Sequence, residues 1–84
     1  MSYKILYTKK AVQGIDKLKA VGLEDKAKTL CINLEHDAKP IYSKALVGNL
    51  KGMRSIRINL QHRLVYKILE QEKIIKILSL WGHY

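Results

Sequence analysis

The sequence has little that would support a disulfide, a zinc site or a membrane span. Cys31 is the only cysteine, so an intrachain disulfide is impossible, and no Cys/His spacing is typical of zinc sites. No apolar run approaches the roughly 20 residues that cross a bilayer. The N-terminal M-S-Y-K lacks the long apolar segment of a signal peptide. We therefore expect a cytoplasmic protein with no metal, no cofactor and no membrane partner, in which Cys31 is a buried thiol.

Acidic residues are also scarce. Seven Asp and Glu stand against 16 Lys and Arg, which gives a net charge of +9 in 84 residues. So much positive charge on a small domain attracts polyanions and speeds encounter with them. Nucleic acid is the first candidate ligand and an acidic protein the second, but charge alone does not say whether the ligand is bound or cut. The length predicts one domain, residues 1–84, with a single modest core.

The order of periodic segments predicts an α+β fold. Residues 3–7 are β-prone, and Thr8 is a candidate N-cap for a helix that Gly22 ends. A second helix begins near Leu23, and Pro40 prevents its continuation. After an irregular basic segment, residues 38–52, three strands follow at roughly 54–60, 63–69 and 74–80. We expect a strand, a two-helix hairpin and a three-stranded antiparallel meander, with the helices on one sheet face and the other face open and basic.

One residue of the first helix has two interpretations. Gly14 lies inside the helical pattern, where glycine costs up to about 1 kcal/mol relative to alanine. Either the helix is weakened there, or Gly14 marks a point of close packing.

The stretch R-I-N-L-Q-H-R-L-V-Y, residues 57–66, carries the strongest functional pattern. Alternation predicts that Arg57, Asn59 and Gln61 share one face of a strand, and that Arg63 and its i+2 neighbours share one face of the next. If these faces coincide, Arg57 and Arg63 converge. Arginine's planar fork suits a phosphate. The alternative is that both are ordinary solvated arginines of the sheet.

The C-terminal His83 and Tyr84 extend this pattern. Histidine acts as a general acid or base near neutral pH, and tyrosine can stack on a base or hydrogen-bond a phosphate. A nuclease that uses the RNA 2′-hydroxyl as nucleophile needs a base, an acid for the leaving group and cations on the phosphate. The alternative is a frayed tail.

These motifs together resemble a known family. H-R-L-V-Y at 62–66, preceded by S-I-R-I-N at 55–59 and followed by the terminal H-Y, is similar to the Txe/YoeB branch of the RelE toxin superfamily. The resemblance covers residues 46–84. It implies a RelE-like fold and the toxin of a type II toxin–antitoxin pair. Such toxins cut mRNA in the ribosomal A site and are inhibited by an acidic antitoxin.

The resemblance also implies roles for individual residues. Arg63 matches the catalytic arginine that stabilises charge on the phosphorane, and Arg57 matches a second arginine near the scissile phosphate. His83 would protonate the departing 5′-oxygen, and Tyr84 would position or stack the substrate nucleotide. We expect further RNA contacts from three more residues, Lys51, Arg54 and Gln61.

One position departs from the family pattern. The family has a glutamate as general base two residues before the leucine that matches Leu46, and this chain has Lys44 there. We expect Lys44, or alternatively Lys51, to serve as the base. A lysine acts so only after losing its proton, which neighbouring positive charges favour.

Other residues and other functions stay open at this point. His62 has either a structural or a catalytic role, and Trp81 either packs against the helices or stacks on a base. The helix lysines are either solvated or contact ribosomal RNA. The main alternative, motivated by the missing carboxylate, is a non-catalytic binding module on the same fold. It would be either an inactive relative of these toxins or a protein that acts on a protein target such as a topoisomerase. A DNA-binding protein is a weaker one, because no helix-turn-helix pattern is present.

Overall fold

The computed structural model describes residues 2–82, which form an α+β fold. In chain order the elements are β1 (Lys4–Tyr7), α1 (Lys9–Ala20), α2 (Glu24–His36), β2 (Lys44–Ala45), a 3₁₀ turn (Gly48–Leu50), β3 (Met53–Arg57), β4 (Arg63–Leu69) and β5 (Ile74–Ser79). The expected order of one strand, two helices and three strands is confirmed. The segment expected to be irregular contains one further strand, β2, which is too short to leave a periodic pattern.

The strands form one sheet in the order β1-β5-β4-β3-β2. All neighbours are antiparallel except β1, which pairs in parallel with β5. The predicted meander of β3, β4 and β5 is therefore present. The first strand of the chain lies beside the last, so residues close to both ends of the chain are part of the same sheet.

The two helices cover one face of the sheet, as predicted. Alternate strand residues on that face are buried, namely Ile56, Leu64, Tyr66, Ile75 and Ile77, and they form one core with Ala11, Leu18, Ala27, Cys31 and Leu34 of the helices. Cys31 is a buried thiol, as expected, and burial raises its pKa. Among residues 2–82 no helix has the length and apolar character needed to cross a bilayer.

Gly14 is a point of close packing. A Cβ atom at this position would lie 3.2 Å from Leu80 Cβ and 3.4 Å from the Trp81 backbone nitrogen. Helix α1 therefore rests directly on the backbone of residues 80–81, and the missing side chain is what allows this approach. Thr8 caps the same helix as predicted, because its Oγ1 accepts from the Ala11 N–H at 3.1 Å.

Strand β3 ends at Arg57, so the prediction that it continues to Leu60 is wrong. The Asn59 side chain accepts hydrogen bonds from the N–H groups of Gln61 and His62, each at 2.8 Å, and folds the chain into a turn. Asparagine competes with strand pairing in this way. Leu60 is 84% exposed instead of facing the core. The expected row of Arg57, Asn59 and Gln61 on one strand face therefore does not form.

Candidate active site

Two arginines lie opposite each other on the sheet face that points away from the helices. Arg57 and Arg63 are direct partners in the β3–β4 pairing, as the alternation of the two strands predicts. Their neighbours Ile56 and Leu64 point into the core, so the arginine side chains occupy the other face. Arg57 is exposed and Arg63 is half-buried. The arrangement concentrates positive charge at one end of the strand pair.

Lys44 lies close to this arginine pair. It is exposed on β2 and pairs with Ser55, which is two residues before Arg57 on the same face of β3. Diagonal neighbours in an antiparallel pair are roughly 7–8 Å apart, within reach of long side chains. The residue at the position of the family's glutamate therefore points to the same side of the sheet as Arg57 and Arg63.

Ser55 is a polar residue that sequence reasoning missed. Its side chain is 1% exposed, between Lys44 on one neighbouring strand and Val65 on the other. Its Oγ has no hydrogen-bond partner among the described residues. An isolated serine inside a strand gives no local sequence signal. It is recognisable only once the strands are paired, as a hydroxyl beside the candidate base.

Lys51 and Gln61 are placed differently. Lys51 follows the 3₁₀ turn in the β2–β3 connection, before the start of β3 at Met53. Met53 and Arg57 are four residues apart, roughly 13 Å along an extended strand. Lys51 is therefore at the far end of β3, and of the two lysines considered as base the geometry favours Lys44. Gln61 is exposed in the turn directly after the arginine end of β3.

Arg54 lies on the opposite face of β3 from Arg57. Its Nε and Nη2 donate to Ser43 Oγ at 3.1 and 2.8 Å, and Ser43 Oγ donates to the Pro40 carbonyl at 2.7 Å. The guanidinium thus holds the segment that leads into β2. The structure does not bring Arg54 to the other predicted RNA-binding residues, and we exclude it from the candidate site.

Tyr66 holds the same segment from β4. Its hydroxyl donates to the Ala38 carbonyl at 2.7 Å, and its side chain is fully buried. Burial raises the pKa of this phenol, which keeps the hydroxyl protonated as a donor. Tyr66 and Arg54 therefore fix the connection from α2 to β2 and, through it, the position of Lys44.

The segment after β5 returns to the arginine end of the sheet. The Gly82 carbonyl accepts from the Arg63 N–H at 3.1 Å, and the Gly82 N–H donates to His62 Nδ1 at 2.9 Å. The His62 ring stacks on Trp81, with centroids 4.0 Å apart. His83 and Tyr84, predicted as catalytic, lie outside the described residues, but the residue before them is bonded to the backbone of Arg63.

Trp81 also lines a groove beside α1. The groove has a volume of about 540 Å³, and its other lining residues are Lys9, Lys10, Gln13, Gly14 and Lys17. Trp81 therefore contacts both His62 and the helix side of the molecule. Three lysines beside an indole form a second basic surface, next to the chain's last described residues.

Among residues 2–82, no Asp or Glu side chain lies on the strands at the arginine end of the sheet. All seven acidic residues are described; they lie on the helices, just after α2, or in the β4–β5 turn, at positions 16, 24, 25, 35, 37, 70 and 72. The general base of the family has no acidic substitute on β2, β3 or β4. Within residues 2–82 no group of His, Cys, Asp and Glu is arranged to hold a metal ion.

Comparison with known proteins identifies the family. Residues 5–83 match the family model for the ParE toxin of the type II toxin–antitoxin system parDE. The chain belongs to this toxin family. The match covers nearly the whole chain, including both helices and every strand except the first residue of β1. Comparison with the sequences of curated proteins finds no match.

Solved structures of toxins share the fold. A YoeB/ParE toxin from Agrobacterium tumefaciens superimposes with a TM-score of 0.87 at 20% identity, covering 96% of this chain and 99% of that one. The YoeB-YefM complex from Staphylococcus aureus gives 0.80 at 27% identity, covering 100% of both chains. The RelBE2 toxin–antitoxin complex from Mycobacterium tuberculosis gives 0.80 at 22% identity, covering 99% and 100%. The resemblance to YoeB toxins of the RelE superfamily is thus confirmed, and this ParE-family protein is a toxin of a type II toxin–antitoxin system.

Proposed function

We propose that this toxin is a ribosome-dependent endoribonuclease that cuts mRNA in the A site. The observation that carries the proposal is the direct pairing of Arg57 with Arg63. Two guanidinium groups opposite each other on one sheet face, one exposed and one half-buried, present positive charge that attracts an anion. A phosphate diester fits such a pair, because each guanidinium can donate two parallel hydrogen bonds.

The proposed chemistry assigns one role to each residue of the candidate site. Lys44 is the general base that takes the proton from the 2′-hydroxyl, whose oxygen attacks the adjacent phosphorus. Arg63 stabilises the charge on the phosphorane and Arg57 holds the phosphate. His83 protonates the 5′-oxygen as its bond to phosphorus breaks, and Tyr84 positions the nucleotide. The products are a 2′,3′-cyclic phosphate and a 5′-hydroxyl, and the scheme uses no bound metal ion.

Further exposed residues, most of them basic, support binding to the ribosome. Gln61 and Lys51 are exposed on either side of β3, and the α1 lysines border the groove at Trp81. Each lysine that approaches a phosphate releases counterions and adds affinity without reading sequence. We propose that these surfaces contact mRNA and ribosomal RNA.

An acidic antitoxin is the proposed protein partner. The Staphylococcus aureus toxin was solved in complex with YefM, and the net charge of +9 on this chain suits an acidic segment that folds as it binds. Such a segment would cover the open basic face and block RNA. Like the ribosome, it would be met in the cytoplasm.

The proposal is tested by inducing the toxin in cells and mapping mRNA 5′ ends. The wild type should arrest growth and produce new ends within codons. Arg63→Ala and a variant lacking His83 and Tyr84 should do neither. Lys67→Ala is the matched control, because Lys67 is a cation on the same face of β4, four residues from Arg63, and should behave as the wild type. Full toxicity of the Arg63→Ala variant would show that the site is assigned wrongly.

A second candidate is a non-catalytic toxin that acts on a protein such as a topoisomerase. The observation that favours it is the absence of any acidic residue on β2, β3 or β4, with Lys44 in place of the base. This candidate predicts growth arrest with unchanged mRNA ends and an altered superhelical density of a reporter plasmid. The ribonuclease predicts growth arrest with new mRNA ends and an unchanged superhelical density.

A further inference from the structure

His62 is the residue that fastens the C-terminal segment to the sheet. It is 7% exposed and precedes β4, but its side-chain contacts are with residues 19 and 20 positions further along the chain. The ring face stacks on Trp81 at 4.0 Å with an interplanar angle of 23°, and Nδ1 accepts from the Gly82 N–H at 2.9 Å. Two different parts of one imidazole therefore hold two consecutive residues.

Other contacts complete this clamp. The Gly82 carbonyl accepts from the Arg63 N–H, so both backbone groups of Gly82 are bonded to residues 62 and 63. On the other side, Gly14 lets α1 rest on Leu80 and Trp81. Gly82 has φ +83°, a conformation that glycine adopts without strain and other residues rarely adopt. The backbone conformation of Gly82 is therefore fixed beside Arg63.

We propose that His62 is a positioning residue: by holding Gly82 it fixes the backbone beside Arg63, and the rate of RNA cleavage depends on that placement. The proposal rests on the ribonuclease function given above. Gly82 is joined to His83 by a peptide bond, and its carbonyl oxygen accepts a hydrogen bond from the Arg63 N–H. One hydrogen bond therefore connects the residue before the proposed acid to the backbone of the proposed charge-stabilising arginine. His62 itself does not touch the substrate.

The role requires a particular form of the imidazole. Nδ1 accepts a hydrogen bond, so the proton of the neutral ring is on Nε2, and a doubly protonated ring would have no acceptor. A residue that only fills space would need the stack on Trp81 but not this acceptor. Substitutions that separate the stack from the acceptor therefore distinguish positioning from packing.

Two variants make this separation. His62→Phe keeps an aromatic ring against Trp81 and removes the acceptor. His62→Asn removes the ring but places a carbonyl oxygen close to where Nδ1 stands. His36→Phe is the matched control, because His36 is an exposed histidine at the end of α2.

The first measurement is amide hydrogen exchange in the free toxin, which needs no activity. The Gly82 amide should exchange about fivefold faster or more in His62→Phe, as loss of one hydrogen bond implies. The exchange rate of this amide should return towards the wild-type value in His62→Asn and should equal it in the control. Core amides such as Ile75 should be unaffected in all three. Unchanged Gly82 exchange in His62→Phe would overturn the clamp itself.

The second measurement is the rate of mRNA cleavage on programmed ribosomes. His62→Phe should lower kcat about 100-fold with KM within about twofold, because a misplacement of about 1 Å has an effect of that size. His62→Asn should recover at least about tenfold. Wild-type kcat in His62→Phe would overturn the positioning role. If the wild type cuts no RNA, the proposed function fails and the catalytic part of this proposal with it, while the exchange data still decide whether His62 holds Gly82.

Discussion

Two arginines of β3, three residues apart, illustrate how position determines the role of a charge. Arg54 faces the helix side and is bonded to Ser43, whereas Arg57 faces outward opposite Arg63. The sequence makes the two look equivalent, as basic residues in one short strand. Only the pairing register shows that Arg54 holds the connection into β2 and that Arg57 is available to a ligand.

The contrast between these two residues is measurable. Arg54→Ala should destabilise the fold by about 1–3 kcal/mol, because it removes two hydrogen bonds from a charged, part-buried group. Arg57→Ala should change stability by less than about 0.5 kcal/mol, because the Arg57 side chain is exposed. It should also weaken RNA binding at every salt concentration and lower the slope of log affinity against log salt concentration by about 1.

Urea unfolding and RNA titrations at several salt concentrations measure both effects, and each variant is the control for the other. An Arg57→Ala protein that unfolds more easily and binds RNA with an unchanged salt slope would contradict the assignment of Arg57 to the phosphate.

At the scale of elements, the helices and the central strand were predictable and the edges of the sheet were not. The span of β4 follows from its alternation, and Thr8, Gly22 and Pro40 mark the ends of the helices. By contrast, β2 has two residues, too few for periodicity. The parallel pairing of β1 with β5 depends on contacts about 70 residues apart. Such pairings are determined by packing of the whole fold.

The same reasoning explains what was missed in the candidate site. The convergence of Arg57 and Arg63 follows from period-two alternation, because the turn between them is short. The contacts of His62 with Trp81 and Gly82, and the burial of Ser55 beside Lys44, arise only when distant strands meet. The prediction that β3 continues to Leu60 failed for a local reason. Alternation of apolar and polar residues does not account for the Asn59 side chain, which turns the chain.

The β3–β4 turn offers a prediction at this scale. Asn59→Ala removes the acceptor for two backbone N–H groups and should destabilise the protein by about 1–2 kcal/mol. Asn49→Ala, an exposed asparagine in the 3₁₀ turn, should change stability by less than about 0.5 kcal/mol. Equal unfolding midpoints for the two variants in urea would show that the Asn59 side chain does not fix this turn.

At the scale of the whole molecule, positive charge is spread over two surfaces. One is the sheet face away from the helices, with Arg57 and Arg63, and the other is the α1 groove with its three lysines. The acidic residues lie away from the arginine end of the sheet. The molecule is therefore suited to a polyanion that contacts both surfaces and crosses residues 81–82, which lie between them.

This distribution predicts a steep dependence of RNA binding on salt. If the two arginines and three groove lysines each neutralise one phosphate, the affinity for single-stranded RNA should fall about 100-fold between 50 and 200 mM salt. A triple variant of Lys9, Lys10 and Lys17 to Gln should lose more than half of the slope. Binding that is insensitive to salt, or to this variant, would exclude the groove from the RNA surface.

The central claim is that this toxin cuts mRNA in the ribosomal A site with Arg63 in the reaction. The most direct test is primer extension on ribosomes programmed with an mRNA of defined A-site codon, incubated with purified toxin. We predict a cut within that codon for the wild type. For Arg63→Ala we predict a rate lower by about 100- to 1,000-fold, as removal of a group that stabilises transition-state charge implies. Absence of any A-site cut at saturating wild-type protein would contradict the account and favour a non-catalytic toxin.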